Sequence, residues 1–389
     1  MRIHLVQHRI MPYRVPLLAA LAGSPGLDLV GGAGRSIAPA LAAVEAAGGE
    51  VRDAPFRRYG PFLWQPASIT AAREAEVVVL GWNTRSLDIP LALRTARRHA
   101  TGSVLWGHGF GKTRPGLGDR IRLRTARRAD AVLLYGPSTR RRMVDLGLPE
   151  DRTFSAPNAI DQSSIAAAAA DWRGRPAALA EFRSREGLTG PVVLFLSRLE
   201  ADKNPPLLVE AFAQLLRKRP DAALVFVGDG SARAATEAAV DRFGIRDRVR
   251  FAGATYDEAK IAPWAVSASL LVHPGGIGLS LMHAFGYGLP VITTDRMELH
   301  GPEVEILDQG RNGLFFRHGD AADLAIRIES MLEDPARLAT MSAEAFRTVD
   351  GPNGRNIPAM VSGFLAAIEA AAARCGHRAG IASDRASNR

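Results

Sequence analysis

The amino-acid sequence predicts an α/β protein made of two doubly wound domains. Short apolar runs of strand length alternate with helical patterns along most of the chain, which is typical of parallel sheets covered by helices on both faces. The alternation weakens at residues 156–190 and then begins again. Because 389 residues are enough for two domains, we expect two Rossmann-like sheets that face each other across a cleft.

Ten apolar runs are predicted to form buried strands, five in each domain. They lie at residues 3–6, 27–30, 77–80, 104–106, 131–134, 192–196, 224–227, 249–251, 270–272 and 291–293. The first domain is placed at 1–160, a linker with one helix at 161–190, and the second domain at 191–356. A helical pattern follows at 357–373, and the polar tail at 374–389 is expected to be disordered.

The charge of the chain is unevenly distributed. Its 49 basic and 40 acidic residues give a net charge of +9, and thirteen basic but only two acidic residues fall at 94–142. This region is either a set of solvated helix faces or a surface for anionic partners, namely membrane headgroups or a phosphorylated acceptor. Nucleic acid is not expected, because the chain has no basic strands studded with aromatic residues and no recognised nucleic-acid motif.

Composition excludes several classes of protein. The single cysteine, Cys375, excludes an internal disulfide and a cysteine-based zinc site. The N-terminal sequence is too short and too quickly polar for a signal peptide, and no apolar run approaches the ~20 residues that span a bilayer. We expect a cytoplasmic protein that can associate peripherally with the inner face of the plasma membrane.

Two loops of the second half carry groups suited to phosphate. Arg198 and Lys203 follow the first strand of that half, and two cations that converge from one loop suit a diphosphate. The stretch 272–288 has the pattern of a strand, a glycine loop and a helix N-terminus. Free amides at such a helix start favour a phosphate, although a packing turn has the same signature. Three glycines would let a ligand approach the backbone: Gly275, Gly276 and Gly278.

Three loops of the first half carry candidate acceptor-side groups. Arg14 lies near the start of the first helix. Two interpretations stay open: it binds an anion there, or it is an ordinary surface arginine. Trp82 and Asn83 follow a later strand. His108 is flanked by glycines, so we expect it in a tight, exposed turn where it can donate a hydrogen bond or act as a base near neutral pH.

Six motifs of the second half occur in a characteristic order: SRLEADKN, VGDG, RVRFAG, the stretch 272–288, GYGLPVITTD and GRNGLFF. Together they resemble the donor domain of the family 4 retaining glycosyltransferases, which have the GT-B fold, over roughly 192–333. In the first half, APNAID is similar to the family's end-of-domain signature, and WGHG is similar in position to its acceptor-side histidine loop. In this fold the last helix crosses back to the first domain, which is the role expected for 357–373.

The resemblance implies a role for each matching residue. Arg198 and Lys203 would bind the donor diphosphate and stabilise the charge of the leaving group. The backbone near Ala252 would contact the base, and His108 would lie near the donor sugar and the acceptor. No metal or other cofactor is expected, because the cations take that role and the chain has no Asp-x-Asp motif. The distal phosphate and donor sugar would be held by backbone amides and one hydroxyl, those of Gly276, Ile277, Gly278, Leu279 and Ser280.

The chain departs from the family at two positions. Members usually have a glutamate, seven residues and a second glutamate, and here Gly275 and His283 stand at these positions, a form that some bacterial members share. A neutral imidazole at 283 can still bond a ribose hydroxyl, whereas glycine cannot replace a carboxylate. Glu303 or Glu305, in a loop that faces the same site in the family, is expected to supply the lost contacts.

The sequence therefore predicts a metal-independent, retaining glycosyltransferase of the hexosyltransferase type. It would move a sugar from a nucleotide diphosphate to a lipid-linked or saccharide acceptor, in bacterial surface polysaccharide or glycoconjugate synthesis. Two alternatives stay open: a nucleotide-sugar epimerase with the GT-B fold, and a non-catalytic nucleotide-sugar-binding subunit, which the missing glutamates suggest. The epimerase would form product without an acceptor, and the subunit would bind the donor without turnover.

Overall fold

The computed structural model describes residues 1–33, 38–110 and 117–387. Contacts between Cα atoms divide the chain into two compact units, Met1–Ile160 with Ile357–Arg389, and Asp161–Asn356. The segment predicted as a linker with one helix, 161–190, carries two helices of the second unit. The predicted cleft stays a prediction.

The first unit is an α/β layer structure around a parallel sheet. Its strands are β1 Arg2–Gln7, β2 Asp28–Ala33, β3 Glu50–Asp53, β4 Arg57–Tyr59, β5 Phe62–Trp64, β6 Val77–Gly81, β7 Gly102–Gly107, β8 Ala131–Leu134 and β9 Thr153–Ser155. Its first six helices are α1 Val15–Ala22, α2 Ala38–Ala46, α3 Ala67–Glu74, α4 Ile89–Arg98, α5 Leu117–Ala126 and α6 Pro137–Asp145. Seven strands pair in parallel in the order β3-β2-β1-β6-β7-β8-β9, and β4 and β5 form a separate antiparallel hairpin.

The second unit repeats this plan on a smaller sheet. Its strands are β10 Val192–Leu196, β11 Ala223–Val227, β12 Val249–Gly253, β13 Leu270–His273, β14 Val291–Thr294 and β15 Gly313–Phe316. They pair in parallel in the order β12-β11-β10-β13-β14-β15. The helices are α7 Ser163–Arg173, α8 Pro176–Arg185, α9 Pro205–Leu215, α10 Arg233–Phe243, α11 Glu258–Ser267, α12 Leu279–Gly286, α13 Ala321–Leu332 and α14 Pro335–Val349.

The apolar strands are buried on both faces, as parallel strands covered by helices must be. Every residue of β10, β11, β13 and β14 is buried. The core of the second unit joins side chains of these strands to helices α9 and α13, with Phe195, Phe212 and Phe226 wholly enclosed. Buried strands present their loops at one edge of the sheet, which is where the candidate site lies.

The last helix, α15 Ile357–Ser387, belongs to the first unit and packs on β7, β8 and α1. Met360, Phe364 and Ile368 are buried in that contact. By length and composition alone, its part Ile357–Gly376 is apolar enough to cross a membrane, a test that core helices of soluble proteins also pass. The prediction of a disordered tail from residue 374 is wrong as far as Ser387, because α15 continues to that residue. Residues 388 and 389 lie outside the described residues.

All ten predicted strands are confirmed, and five strands were not predicted. Three of the five, β3, β4 and β5, are short and rich in charged or exposed residues. The strand β9 has three residues at a sheet edge, and β15 lies inside the GRNGLFF motif. Hydrophobic patterning does not mark β3 and β4, because most of their side chains are charged.

Candidate functional site

The sheet of the second unit has a topological switch point between β10 and β13. From β10 the chain winds outward to β11 and β12, and it then crosses to β13, β14 and β15 on the other side. Ligands of open parallel sheets bind outside the carboxyl ends of the strands at such a point. The loops after β10 and β13 carry Lys203 and the glycine stretch respectively, so these two predicted features meet there.

The backbone of the Lys203 loop lies directly on Gly275. A Cβ atom placed on Gly275 would be 2.6 Å from the Cα of Lys203 and closer still to the carbonyl oxygen of Asp202. On the other side, a Cβ on Gly276 would be 2.8 Å from the carbonyl carbon of Leu299. These distances are far inside van der Waals contact. No side chain, a glutamate included, fits at position 275 unless the Lys203 loop moves.

Lys203 is held at the glycine stretch by two polar contacts. Its Nζ donates a 2.8 Å hydrogen bond to the carbonyl oxygen of Gly276 and forms a 3.0 Å ion pair with Asp202. Burial alone would raise the pKa of Asp202, but the hydrogen bond and charge of Lys203 more than offset it, so this pKa lies below its usual value. An ammonium has three N–H donors, and the Lys203 side chain is 20% exposed, so one donor remains for a ligand.

Arg198 supplies a second cation on the same loop. It is exposed, and in the part of the chain that the structure describes its guanidinium has no hydrogen-bond or ion-pair partner. Its charge contributes to the lowered pKa of Asp202, the ion-pair partner of Lys203. The VGDG turn packs against this loop. A Cβ on Gly228, whose φ is +143°, would be 2.9 Å from the carbonyl carbon of Ser197.

The start of α12 offers fewer amides than the sequence predicts. The N–H of Ile277 donates a 3.0 Å hydrogen bond to Nδ1 of His300, whose Nε2 lies 2.9 Å from the carbonyl oxygen of Thr294. The Ile277 amide is therefore occupied, which corrects its predicted role in holding phosphate. The amides of Leu279 and Ser280 meet no acceptor among the described residues, and they are at the positive end of the helix dipole.

The carboxylate of Glu303 lies beside the glycine stretch. Glu303 is 7% exposed, and a Cβ on Gly278 would be 3.6 Å from its Oε2. A Cβ on Gly301 would overlap the same oxygen. Of the two glutamates predicted to compensate for Gly275, Glu303 is therefore the one placed against the glycine stretch, while Glu305 is half-buried on the same short helical turn.

His283 is paired with a carboxylate that the sequence did not reveal. Its Nε2 is 3.0 Å from Oε2 of Glu258, the first residue of α11, and the hydroxyl of Tyr287 donates a 2.7 Å hydrogen bond to the same oxygen. Burial and the Glu258 carboxylate raise the pKa of Tyr287 above its usual range, so this hydroxyl stays protonated. In the neutral tautomer that donates Nε2–H to Glu258, Nδ1 of His283 is an acceptor that suits a ligand hydroxyl.

His273 lies beneath the site in its neutral form. It is fully enclosed at the end of β13, its ring stacks on Phe195, and Nδ1 is 3.3 Å from the carbonyl oxygen of Gly275. Burial, reinforced by the nearby charge of Lys203, lowers the pKa of His273 to about 3. Ala252, predicted to contact the base, lies exposed near the end of the edge strand β12.

The first-half candidates lie at the equivalent edge of the other sheet. His108 is exposed, as predicted, and its ring lies 4.6 Å from that of Tyr135. Asn83 accepts a hydrogen bond from the backbone N–H of Arg85, which closes a local turn. Trp82 is half-buried. Arg14 is 5% exposed, so it is not the surface arginine that the sequence left open as one of two environments.

In the described ranges, no group of three or more His, Cys, Asp and Glu side chains is arranged to hold a metal ion. The described site comprises cations, amides, the imidazole of His283 and three carboxylates, those of Asp202, Glu258 and Glu303. Arg198 and Lys203 are suited to an anion, and the Glu258–His283 pair is suited to a hydroxyl.

Residues 190–334 match the family described as Glycosyl transferases group 1. This segment of the chain is similar to the group 1 glycosyltransferases. Among curated proteins, it is 28% identical over 243 residues to an exopolysaccharide phosphotransferase of Streptomyces coelicolor, covering 61% of this chain and 23% of that protein. It is 27% identical over 263 residues to a GDP-mannose-dependent phosphatidylinositol monomannoside mannosyltransferase of Mycolicibacterium smegmatis, covering 65% of each. The chain thus spans between about a quarter and two thirds of the length of the first curated relatives it matches.

Solved structures establish the fold of the chain. Anabaena HepE in complex with UDP has a TM-score of 0.71 at 18% identity, with 94% of this chain and 98% of HepE covered. A glycosyltransferase from Rickettsia africae has a TM-score of 0.73 at 14% identity, with 95% and 98% covered. The fold is GT-B, with two Rossmann-like domains built on parallel sheets.

Proposed function

We propose that this protein is a retaining glycosyltransferase that takes its sugar from a nucleotide diphosphate donor. The observation that carries the proposal is the position of Lys203, whose Nζ is hydrogen-bonded to Gly276 on the glycine stretch at the switch point. Arg198 lies exposed on the same loop. Two cations beside helix amides that meet no acceptor in the described part of the chain suit a diphosphate leaving group better than a neutral ligand.

The proposed reaction breaks the bond between the sugar C1 and the distal phosphate oxygen, and forms a bond between C1 and an acceptor hydroxyl oxygen. The electron pair of the broken bond leaves with the nucleoside diphosphate, and the departing phosphate oxygen takes the acceptor proton on the same face. Arg198 and Lys203 stabilise the developing negative charge, a role that needs no resident metal ion. His283, oriented by Glu258, accepts a hydrogen bond from a ribose hydroxyl, and Glu303 binds the donor sugar.

The acceptor side is proposed to lie in the first unit, with Arg14, Trp82, Asn83 and His108 as its residues. Relatives named for exopolysaccharide and for phosphatidylinositol mannoside synthesis support a saccharide or lipid-linked acceptor. We propose bacterial surface polysaccharide or glycoconjugate synthesis as the setting, in the cytoplasm.

A surface of the first unit supports peripheral membrane association. Leu87 and Leu91 are 49% and 43% exposed, and they line one groove together with Arg94, Arg97 and Arg128. Apolar side chains ringed by arginines suit the headgroup region of an anionic membrane. Sedimentation with liposomes is expected to pellet the protein with anionic but not neutral lipid, and equal binding to both would contradict this part of the proposal.

The test of the function is sugar transfer measured with a panel of nucleotide sugars. Donors are first found by thermal shift, because a ligand that binds only the native state raises its stability. Turnover is then compared in the wild type, Lys203→Ala and the control Lys260→Ala, whose lysine is exposed and paired only loosely with Asp257. Lys203→Ala is expected to lose turnover with its fold intact, and Lys260→Ala to retain it.

The outcome also separates the alternatives. Conversion of the donor sugar without an acceptor identifies an epimerase, and donor binding without turnover under any acceptor identifies a binding subunit. Undiminished turnover in Lys203→Ala removes the proposed role of this lysine. Anomeric configuration of the product, read by NMR, decides between retention and inversion.

A further inference from the structure

Arg14 is a buried cation surrounded by aromatic rings. Its guanidinium carbon lies 5.0 Å from the ring centre of Tyr13, 4.9 Å from that of Trp106 and 5.0 Å from that of Tyr135. Nη1 donates to the sulfur of Met360 at 3.5 Å. These contacts all lie within the first unit, and the whole residue is 5% exposed.

The charge of Arg14 is not neutralised inside the described part of the chain. No Asp or Glu there forms an ion pair with it, and its only hydrogen-bond acceptor there is the thioether of Met360, a weak one. A guanidinium has five N–H donors in a planar fork, so four are left without an acceptor in the described ranges. Aromatic faces attract a cation, but they accept no in-plane hydrogen bond from it. Burial of a charge without a paired group is costly, so a missing anion is the simplest complement.

Two further buried donors lie at the same edge of the sheet. The indole Nε1 atoms of Trp106 and Trp82 are buried and have no hydrogen-bond partner among the described residues. The two residues are neighbours, since the backbone N–H of Trp82 donates a 2.7 Å hydrogen bond to the carbonyl oxygen of Trp106. Buried donors without an acceptor are rare in folded proteins, and each one calls for a ligand, a water or an ion.

The position of this cluster is the switch point of the first unit. The sheet order turns between β1 and β6, and Arg14 follows β1 while Trp82 follows β6. Arg14 also immediately precedes α1, an eight-residue helix whose positive dipole end favours an anion. The exposed ring of His108 packs on Tyr135, which in turn contacts the guanidinium, so His108 is one ring away from Arg14.

We propose that Arg14 and the indole N–H of Trp106 form an oxyanion site that binds a phosphate or carboxylate group of the acceptor. The guanidinium fork would bind two oxygens of the anion, and the aromatic rings would fix the plane of the fork. This inference rests on the proposed function, and it adds that the acceptor is anionic close to its reacting hydroxyl. The alternative is that Arg14 only joins the sheet to α15 through Met360 and the rings.

The test measures anion binding where the donor site has been weakened by removal of one of its two cations. Thermal shifts of the full chain are recorded with inorganic phosphate and with acetate, at constant ionic strength held by chloride. The parent is Lys203→Ala, and the variants Arg14→Met and Trp106→Phe are made in that background. Phosphate or acetate is expected to stabilise the parent, and Arg14→Met is expected to bind the anion at least tenfold more weakly. Trp106→Phe keeps a ring and removes one donor, so it is expected to bind several-fold more weakly.

Phosphate and acetate distinguish the two sources of the oxyanion, because the better-stabilising one shows whether a phosphorylated or a carboxylated acceptor fits. An anion-dependent shift in Arg14→Met equal to that of the parent would overturn the proposal. If Arg14→Met does not fold, an unchanged shift in Trp106→Phe overturns it. Failure of the proposed function appears separately, as the absence of any nucleotide-sugar shift in the wild-type protein.

Discussion

Substitution of Gly275 by alanine is expected to damage the candidate site through the backbone of the neighbouring loop. The φ angle of Gly275 is outside the left-handed region, so its backbone tolerates an L-residue and the penalty is purely one of contact. The new Cβ would be 2.6 Å from the Cα of Lys203. Because carbon atoms pack best at about 3.5–4.0 Å, the loop has to withdraw by roughly 1 Å.

The size of the effect depends on that displacement. Forcing a methyl group into a packed interior typically costs about 1–3 kcal/mol of unfolding free energy. The 2.8 Å hydrogen bond from Lys203 to Gly276 is lengthened at the same time. A misplacement of ~1 Å in a catalytic group can lower the rate about 10²-fold. We therefore expect Gly275→Ala to lose both stability and most of its turnover.

The assay is urea denaturation together with kcat/KM for the best donor. The matched control is Gly23→Ala. Gly23 has φ −77°, and a Cβ there would meet the carbonyl oxygens of Ala19 and Ala20 at ordinary distances of 3.5 Å and 3.9 Å. Gly275→Glu, which introduces the residue that the resemblance implies at this position, is expected to be no better than Gly275→Ala. Wild-type stability and turnover in Gly275→Ala would refute the reasoning, and a gain in Gly275→Glu would refute it more sharply.

Three further outcomes are expected. His273 has a pKa of about 3 when folded and about 6.5 when unfolded, so below pH 6.5 the unfolded state binds the proton more tightly, and the unfolding free energy falls by up to about 1.4 kcal/mol per pH unit. In His273→Phe, whose ring can still stack on Phe195, the unfolding free energy measured by denaturation should depend less steeply on pH. Equal slopes for the two proteins would contradict this prediction. Glu258→Ala should weaken nucleotide binding about tenfold by calorimetry, because the charged hydrogen bond that orients His283 is worth about 1.5–3 kcal/mol. His283→Glu alone should bind the nucleotide more weakly still, since its carboxylate would meet that of Glu258, and adding Glu258→Gln should recover nucleotide binding. Failure of this rescue would show that Glu258 does not act through position 283.

The sequence predicts the loop that carries Lys203 and the glycine stretch as one site for a simple physical reason. Loops that follow parallel strands lie at the same edge of the sheet, and alternation of apolar runs locates those strands without any knowledge of contacts. The same logic places Trp82 and His108 at the corresponding edge of the first sheet, where the structure has them. The edge of the sheet at which a loop residue lies was thus predictable from the positions of the strands along the chain.

Contacts between distant segments were not accessible. From the sequence, Glu258 is only the first residue of a helix capped by Asp257. Nothing in the local sequence indicates its pairing with His283, 25 residues away. His300 takes up the Ile277 amide from a loop with no helical or strand period. Sequence patterns report which face of an element is apolar, whereas these bonds depend on where separate elements meet.

The burial of Arg14 was likewise not predictable from the sequence. An arginine at a helix start is usually exposed, and its local sequence, PYR, gives no reason to bury it. It is buried because Trp106, Tyr135 and Met360 arrive from β7, the loop after β8 and α15. The position on the fold was predictable, but the environment was not.

Gly275 and His283, the two positions that the sequence analysis interprets as departures from the resembling family, each lie in a well-defined structural environment. At position 275 the volume of a side chain is taken by the backbone that carries Lys203, so the loop geometry and the glycine must change together. At position 283 a carboxylate comes from another helix, because Glu258 lies within 3.0 Å of the imidazole. Simple loss of two acidic side chains would leave an empty volume beside Gly275 and would leave the imidazole of His283 without a carboxylate partner. Both positions are instead filled by contacts that keep a cation and a hydrogen-bond acceptor at the edge of the sheet, and these are the groups that the proposed nucleotide-diphosphate site uses.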